Sequence, residues 1–363
     1  MKITAIETVL FEPTWDDPLA HRHRRTFGAV TVRTDEGLAG ISRTWAEGAR
    51  HIHDLFAPAL AGEDPRDVER LWAKLYALTV PHLGQERAMV AAIGALDVAL
   101  WDLLGRSAGL PCWRLLGGYR DWAPAYADVP IRNETPEELG EQLAESVAAG
   151  YRAVKFHILN RDPDHIVAEA RAARAAIGPD VALMVDIFRA LDPQTAIAVA
   201  RRLEEYDITW LEEPVRWHDQ PLGLALVAQQ TRIPIAGGEG ESSLYGCRAI
   251  LERGGVAYLQ TDLLGGGGYT NLRKIGALAE AYHVRLAPHG ASFPELVAPL
   301  VAALPNGASV PATTPHQPPA VWGDLYEDFR ITDGRIELTD RPGLGLTFDQ
   351  AFLARYRVGV LSS

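Results

Sequence analysis

The feature that most constrains the fold is a pattern that repeats eight times from Trp122 onward, a short apolar run followed by a helical segment. The apolar runs are WAPAYADV, YRAVKFHI, VALMVDIF, ITWLEEP, IPIAGGE, VAYLQTD, HVRLAPH and ASVPATT. The segments between them, such as PEELGEQLAESVAAG and PQTAIAVARRLEEY, have helical periodicity and charged faces. Eight βα units within about 200 residues predict an α/β fold with a closed (β/α)8-type barrel rather than an open sheet.

The first third of the chain has a different pattern. ITAIETVLF, TFGAVTVRT and GLAGISRTW are typical of strands, and the turn Thr34-Asp35-Glu36-Gly37 predicts a hairpin between the last two. A helix is expected at RDVERLWAKLYAL, and a longer one from about Gly84 to Leu104, ending at Gly105. We therefore expect an α+β capping domain in 1–120, a barrel in 121–320 and a C-terminal segment, 321–363, that returns to the capping domain.

Charge and composition restrict the partners. A net charge of −12 disfavours diffuse attraction to nucleic acid or anionic lipid and favours a small-molecule partner. The N-terminal apolar run is interrupted by Glu7, so no signal peptide is predicted, and the most apolar stretch, AMVAAIGALDVALWDLL, carries Asp97 and Asp102, so no membrane span is predicted. Cys112 and Cys247 lie far apart without metal-ligand spacing, as in reduced cytoplasmic proteins. We expect a cytoplasmic homo-oligomer.

Polar residues recur at the ends of successive predicted strands. Asp186, Glu212, Glu239, Asp262 and His289 follow one another at spacings of 23 to 27 residues. One βα unit takes about that length, so each side chain returns to the carboxyl-terminal rim of the barrel, where barrel enzymes keep their chemistry. The alternative is that these acids only cap the helices that follow.

Neighbouring carboxylates on one rim would raise one another's pKa unless a cation lay between them. Three carboxylates therefore favour a metal site, and ligation by oxygen alone favours a hard ion. Mg²⁺ is the best candidate and Mn²⁺ the next, whereas zinc would favour His or Cys ligands.

Two basic residues on the second strand are candidates for proton transfer. Strand alternation places both Lys155 and His157 toward the barrel interior. Only four of the 35 basic residues are lysines, and a desolvated Lys, unlike Arg, can release its proton. Lys155 could equally serve as a counter-ion for the acids. On the adjacent sixth and seventh strand ends, Asp262 could orient and stabilise the imidazole of His289.

These residues carry a resemblance to a known family. RAMVAAIGALDVALWDLLGRSAGLPCWRLLGG, WLEEP, IAGGE and LQTDLLGGGGYTNLRKIGALAEAYHVRLAPHG occur in the order and spacing of the enolase superfamily, in its mandelate racemase subgroup. The likeness covers nearly the whole chain. It implies that Asp186, Glu212 and Glu239 bind Mg²⁺ and that His289 and Asp262 form an acid/base dyad. Lys155 and His157 occupy the Lys-x-Lys positions.

The chain departs from the family pattern at three places. His157 replaces the second Lys, Phe188 stands where an Asn often follows the metal-binding Asp, and the eighth strand, SVPATT, lacks the Glu of many relatives. The ligand set and the reaction type survive these changes. The assignment of each proton-transfer role stays open among Lys155, His157 and His289.

The resemblance implies abstraction of the proton α to a carboxylate, giving an enediolate stabilised by Mg²⁺. We expect a carbon–oxygen lyase that dehydrates a sugar acid or diacid to a 2-keto-3-deoxy acid. The alternatives are a sugar-diacid lactone cycloisomerase, a racemase or epimerase, and, more distantly, a non-catalytic binding barrel. His21, Arg22 and Arg24 lie in a basic loop that could bind the distal end of the substrate or form a solvated charge run.

Overall fold

Each of the eight apolar runs forms a strand, so the predicted barrel is confirmed. The computed structural model describes residues 1–13, 26–81, 86–129, 135–158, 160–290, 293–313 and 325–363. The barrel strands are β4 (Trp122–Asp128), β5 (Ala153–His157), β6 (Ala182–Asp186), β7 (Ile208–Glu212), β8 (Ile235–Gly237), β9 (Tyr258–Leu259), β10 (Arg285–Leu286) and β11 (Val310–Thr313).

The strands are parallel and follow one another in chain order around the sheet, with β11 returning beside β4. A parallel bridge between Leu286 and Gly307 joins β10 to the chain just before β11. This bridge connects the seventh and eighth strands, so the sheet curls into a ring. All carboxyl ends of the strands therefore meet at one rim, as the strand-end spacing predicts.

Helices alternate with the strands of the barrel. They are α6 (Pro136–Ala148), α7 (Pro163–Ile177), α8 (Pro193–Leu203), α9 (Leu222–Ala228), α10 (Leu244–Glu252), α11 (Gly268–Ala281) and α12 (Pro294–Ala303). Local chemistry marks several starts: Thr135 and Glu138 form a capping box at α6, and the Asp192 side chain accepts hydrogen bonds from the first turn of α8.

The N-terminal strands form a separate antiparallel sheet. Its order is β13 (Arg357–Ser362), β1 (Ile3–Phe11), β2 (Phe27–Thr34) and β3 (Ala39–Trp45). The predicted hairpin is confirmed: β2 and β3 pair antiparallel, and Gly37 closes the turn with φ of +80°. The α-helices described in this part are α1 (Ala46–His51), α2 (Ala57–Leu60), α3 (Val68–Ala77), α4 (Glu86–Ala108) and α5 (Cys112–Leu116), and a π-helical turn, Ile52–Phe56, joins α1 to α2.

Helix α4 is longer than predicted and does not end at Gly105. It continues to Ala108, and Gly109, with φ of +68°, follows its last turn. Gly105 lies inside the helix and does not end it. A glycine is required there because the backbone of Gly343 packs closely against it, and a Cβ would lie 2.7 Å from the Cα of Gly343. The helix is long and apolar enough to cross a membrane, but 83% of its most apolar window is buried in the protein.

The C-terminal segment contacts both parts of the molecule. After α13 (Gln350–Tyr356), β13 pairs with β1 of the N-terminal sheet. Earlier in the segment, β12 (Arg335–Glu337) pairs antiparallel with the start of β4, a barrel strand. The C-terminal segment therefore pairs first with the amino-terminal end of a barrel strand and then with the N-terminal sheet. The three domain boundaries stay a prediction.

An aromatic cluster fills the barrel beneath its rim. Trp210 meets Tyr126 edge-on at 5.5 Å between ring centroids and Tyr258 at 4.8 Å, with Met184 in the same buried cluster. These side chains close the barrel below the polar residues. The polar side chains at the strand ends consequently rest on a packed apolar base rather than on a water-filled channel.

Candidate active site

The structure brings the predicted strand-end residues together at one rim. Asp186 and Glu212 are the last residues of β6 and β7 and are direct register partners, and His157 at the end of β5 is the register partner of Asp186. Glu239, Asp262 and His289 follow the ends of β8, β9 and β10 in the same direction. The predicted loop residues His21, Arg22 and Arg24 lie outside the described residues.

Lys155 lies fully buried among carboxylates. Its Nζ donates a hydrogen bond to Glu212 Oε1 at 2.6 Å and lies 3.7 Å from Asp128 Oδ1 and 3.9 Å from Asp186 Oδ2. Burial alone would lower the pKa of Lys155, but the charges of Asp128 and Glu212 outweigh it and raise the pKa well above its usual value. Lys155 is therefore a fixed cation in this arrangement.

His157 lies between two aspartates. Its Nε2 is hydrogen-bonded to Asp128 Oδ1 at 2.8 Å, and its Nδ1 lies 2.9 Å from Asp186 Oδ2. Burial lowers the pKa of His157, yet the charges of Asp128 and Asp186 raise it to about 10. The ring is thus held as an imidazolium while both carboxylates face it.

The second imidazole occupies the other side of the rim. Nδ1 of His289 is 3.2 Å from Asp262 Oδ2, and its Nε2 is 3.5 Å from Glu239 Oε2. Burial opposes the charged ring, but Glu239 and Asp262 together raise the pKa of His289 to about 9. Its side chain is 35% exposed, against 12% for His157, so His289 is the more open of the two.

Glu212 is held from three directions. Besides Lys155, it accepts hydrogen bonds at Oε2 from Trp210 Nε1 at 2.9 Å and from Gln260 Nε2 at 2.7 Å. Burial and the neighbouring Asp186 raise its pKa, although the Lys155 charge opposes them. Glu212 is therefore held in one orientation, and a further positive charge nearby would stabilise its ionised form.

Glu239 is met by cations from two parts of the chain. Arg189, from the loop after β6, approaches Glu239 Oε1 at 3.0 Å. Arg87 of helix α4 donates to the Glu239 main-chain carbonyl at 3.1 Å. Helix α4 therefore reaches the barrel rim beside the carboxylates, as a wall of the site.

Asp186, Glu212 and Glu239 form a donor set that fits Mg²⁺. They supply oxygen only, come from the ends of three successive strands, and are balanced by Lys155, His157 and Arg189. In the part of the chain that the structure describes, no three acidic, His or Cys side chains already enclose an ion position. Binding would require these carboxylates to turn from their basic partners toward a common centre.

Sequence reasoning missed Asp128 and Glu213. Asp128 is the last residue of β4, so the strand-end rule extended back to the first strand would have found it. Glu213, buried beside Glu212, accepts from the N–H groups of Gly238 at 2.7 Å and Glu239 at 3.1 Å, and also from the Gln220 amide. The consecutive acids in WLEEP were its only signal, and they do not reveal a backbone-bracing role.

The loop after β6 has an unusual backbone. Phe188 and Arg189 have φ values of +55° and +57°, a region that non-glycine residues rarely adopt. Asp186 Oδ1 accepts a hydrogen bond from Phe188 N at 2.7 Å, and Arg189 N donates to the Glu213 carbonyl at 2.8 Å. These bonds hold the strained turn that places Phe188 beside His157, with 6.2 Å between ring centroids.

Comparisons with known proteins agree with this architecture. Residues 5–117 match the mandelate racemase / muconate lactonizing enzyme N-terminal domain, and residues 138–352 match the enolase C-terminal domain-like family. The chain is 31% identical to a D-galactarolactone cycloisomerase of Agrobacterium fabrum over 99% of both chains. It is 32% identical to a D-xylonate dehydratase of Haloferax volcanii over 88% of this chain and 82% of that one.

Solved structures give the same result. An L-talarate dehydratase from Polaromonas sp. JS666, complexed with Mg and L-glucarate, superposes with a TM-score of 0.87 at 30% identity, covering 100% of this chain and 99% of that one. A mandelate racemase/muconate lactonizing enzyme from a marine actinobacterium, in complex with magnesium, gives 0.89 at 30% identity over 99% of both chains. The chain belongs to the mandelate racemase / muconate lactonizing enzyme family of the enolase superfamily.

Proposed function

We propose that this protein is an Mg²⁺-dependent acid-sugar dehydratase that removes the proton α to a carboxylate and yields a 2-keto-3-deoxy acid. The observation that carries the proposal is the placement of two imidazoles, His157 and His289, on opposite sides of a carboxylate set. Such an arrangement provides a base for one proton and an acid for a leaving group. Relatives that include sugar-acid dehydratases support it.

Asp186, Glu212 and Glu239 would hold the ion. When bound, Mg²⁺ supplies charge stabilisation for an enediolate that forms on the substrate carboxylate. Lys155 is buried and fixed as a cation by Asp128 and Glu212, so it would stabilise the same developing charge. This assigns Lys155 to electrostatic stabilisation rather than to proton abstraction.

The proton-transfer roles then fall to the two imidazoles. Once Asp186 turns from Nδ1 to hold the ion, one of the two charges that keep His157 protonated is withdrawn. The neutral ring then takes the α-proton at Nδ1, and the C–H electron pair moves into the enediolate. The β C–O bond then breaks as His289 donates its proton, releasing water and an enol that becomes the 2-keto acid. His289 is the more exposed ring and is oriented by Asp262, which suits a group that must meet a departing hydroxyl.

A lactone cycloisomerase is the second candidate. The full-length similarity to a D-galactarolactone cycloisomerase favours it, as does a second relative that is a 3,6-anhydro-α-L-galactonate cycloisomerase. The same α-proton abstraction would expel the ring oxygen at the β position instead of a hydroxyl. The two reactions differ only in the leaving group, so the residues at the rim do not separate them.

One screen tests both candidates. The Mg²⁺-loaded protein is incubated in D₂O with aldonic acids, aldaric acids and their lactones, and NMR follows α-deuteration and 2-keto product. A 2-keto product from an open acid supports the dehydratase, and product from a lactone alone supports the cycloisomerase. α-Deuteration with inversion and no elimination would support a racemase or epimerase. Absence of exchange with every acid, despite Mg²⁺ binding, would overturn the proposal in favour of a non-catalytic barrel.

A further inference from the structure

The site contains a second carboxylate–imidazole pair that sequence reasoning did not find. Asp128 and His157 lie on β4 and β5, and Asp262 and His289 follow β9 and β10. The Asp128–His157 hydrogen bond is 2.8 Å long, and the Asp262–His289 contact is 3.2 Å. We propose that Asp128 is a positioning residue that acts through His157, an inference that rests on the proposed proton abstraction.

The two pairs hold opposite ring nitrogens. Asp128 binds Nε2 of His157, whose other nitrogen, Nδ1, lies 2.9 Å from Asp186 Oδ2. Asp262 binds Nδ1 of His289, whose other nitrogen, Nε2, lies 3.5 Å from Glu239 Oε2. In each pair the aspartate occupies one nitrogen and turns the other toward a candidate metal ligand.

This orientation sets which nitrogen of His157 can accept a proton. A neutral imidazole carries one N–H, and the nitrogen that donates to a carboxylate keeps it. Asp128 therefore fixes the Nε2 side of the ring and turns the Nδ1 side toward Asp186 and the candidate metal site. The side chains of Asp128 and His157 are 11% and 12% exposed, so few waters compete for this bond.

Asp128 has a second neighbour that must be separated from the first. Its Oδ1 lies 3.7 Å from Lys155 Nζ, beyond hydrogen-bonding distance, so the carboxylate also balances the Lys155 charge. A role through Lys155 would alter stabilisation of the enediolate, whereas a role through His157 would alter the orientation of the ring. The shorter, hydrogen-bonded contact favours His157.

The first experiment reads the ring without any substrate. In Mg²⁺-loaded protein labelled with ¹⁵N-histidine, the His157 Nε2–H signal is identified by its loss in His157→Asn. We expect a downfield, hydrogen-bonded proton in the wild type and loss of that shift in Asp128→Ala. An unchanged signal in Asp128→Ala, or no hydrogen-bonded signal in the wild type, overturns the proposal.

The second experiment reads the chemistry with a matched control. Asp128→Asn should slow α-hydrogen exchange in D₂O by about 10- to 100-fold with KM unchanged, as for loss of a partner that orients a functional group. Asp192→Asn, an equivalent change at the cap of α8, should leave exchange unchanged. Asp128→Glu keeps a carboxylate acceptor for the Nε2–H group of His157 and should retain more of the exchange rate than Asp128→Asn.

A raised KM at an unchanged rate would show that Asp128 acts on the substrate, and slower exchange with an unchanged His157 Nε2–H signal would show that it acts through Lys155. Either result overturns the proposal. The two hypotheses can fail separately. If the wild type exchanges no α-hydrogen, the proposed function fails, while the Nε2–H signal still decides whether Asp128 orients His157.

Discussion

Trp210 donates a hydrogen bond through Nε1 to Glu212 Oε2 at 2.9 Å, from two residues earlier on the same strand. The two side chains point the same way because strand alternation places residues two apart on one face. Trp210 belongs to the aromatic cluster that fills the barrel, and Glu212 belongs to the candidate metal site. The packing of the barrel interior therefore helps to fix the orientation of Glu212, a candidate metal ligand.

Glu212→Gln should abolish turnover and weaken Mg²⁺ binding. The change keeps side-chain size but removes the negative charge, and the amide can no longer neutralise Lys155 at 2.6 Å. Calorimetric titration with Mg²⁺ and assay after EDTA treatment measure the two effects. Glu204→Gln, at the C-cap of α8, is the matched control and should retain both turnover and Mg²⁺ binding. Full activity of wild-type protein after EDTA treatment would contradict the metal assignment.

Glu213→Ala should destabilise the protein and displace Glu239. Removal of the carboxylate leaves the buried N–H groups of Gly238 and Glu239 without their acceptor, at a cost of about 1–3 kcal/mol for each group. Urea unfolding measures the loss of stability, and calorimetry measures the weaker Mg²⁺ binding that follows. Glu213→Gln keeps an acceptor oxygen and should retain most of the stability. Equal losses in both variants would show that charge, not bracing, is the contribution of Glu213.

Asp97 should make stability fall as the pH rises. Asp97 of α4 accepts from Thr270 N at 2.9 Å at the start of α11, and burial raises its pKa to about 7 although the Thr270 hydrogen bonds oppose this. Between the usual pKa of 3.8 and about 7, the folded state holds a proton that the unfolded state has released. Asp97 therefore stabilises the fold fully below that window and loses this contribution as the pH rises through it.

Urea unfolding of wild type and Asp97→Asn at several pH values from 5 to 8 tests this linkage. The stability of the wild type relative to the variant should fall by up to about 1.4 kcal/mol per pH unit until the carboxyl has ionised. Asp349→Asn, which alters an N-cap at α13, controls for the general effect of amide substitution. A difference between wild type and Asp97→Asn that does not change with pH would contradict a raised pKa at Asp97.

Neutralising Arg22 and Arg24 together should raise KM more than it lowers kcat. This outcome is expected if the basic loop binds the distal end of the substrate equally in the ground and transition states. Steady-state kinetics with the substrate from the D₂O screen measures both constants. Neutralising Arg201 and Arg202 on α8 removes the same charge elsewhere. An unchanged KM across the pH range would assign the loop to a solvated charge run.

The barrel and the carboxylate set were predictable because both have strong local signals. Parallel strands buried on both faces read as continuous apolar runs, and one polar residue per βα unit marks the rim. The end of α4 was not predictable, because Gly105 looks like a helix stop in the sequence but is required by the close approach of Gly343. Arg189 and Glu213 were not predictable, because their roles depend on contacts between loops and strand ends that spacing alone does not encode.

The last prediction separates the two imidazoles by their effects on exchange and elimination. His157 ends the second strand of the barrel and His289 follows the seventh, and each is turned toward a different candidate ligand, Asp186 or Glu239. If His157 is the base, His157→Asn should stop both α-hydrogen exchange and product formation. His289→Asn should block loss of the hydroxyl while exchange continues, because the proton is removed before the acid acts.

NMR in D₂O measures α-deuteration and product in the same sample. His165→Asn, on helix α7 outside the rim, should leave both rates unchanged and controls for histidine replacement. Loss of exchange in His289→Asn alone would assign proton abstraction to the Asp262–His289 pair and leave His157 a binding role. Loss of exchange in both variants would instead show that removal of the α-proton requires both imidazoles, and would contradict the assignment of His157 as the base that acts first.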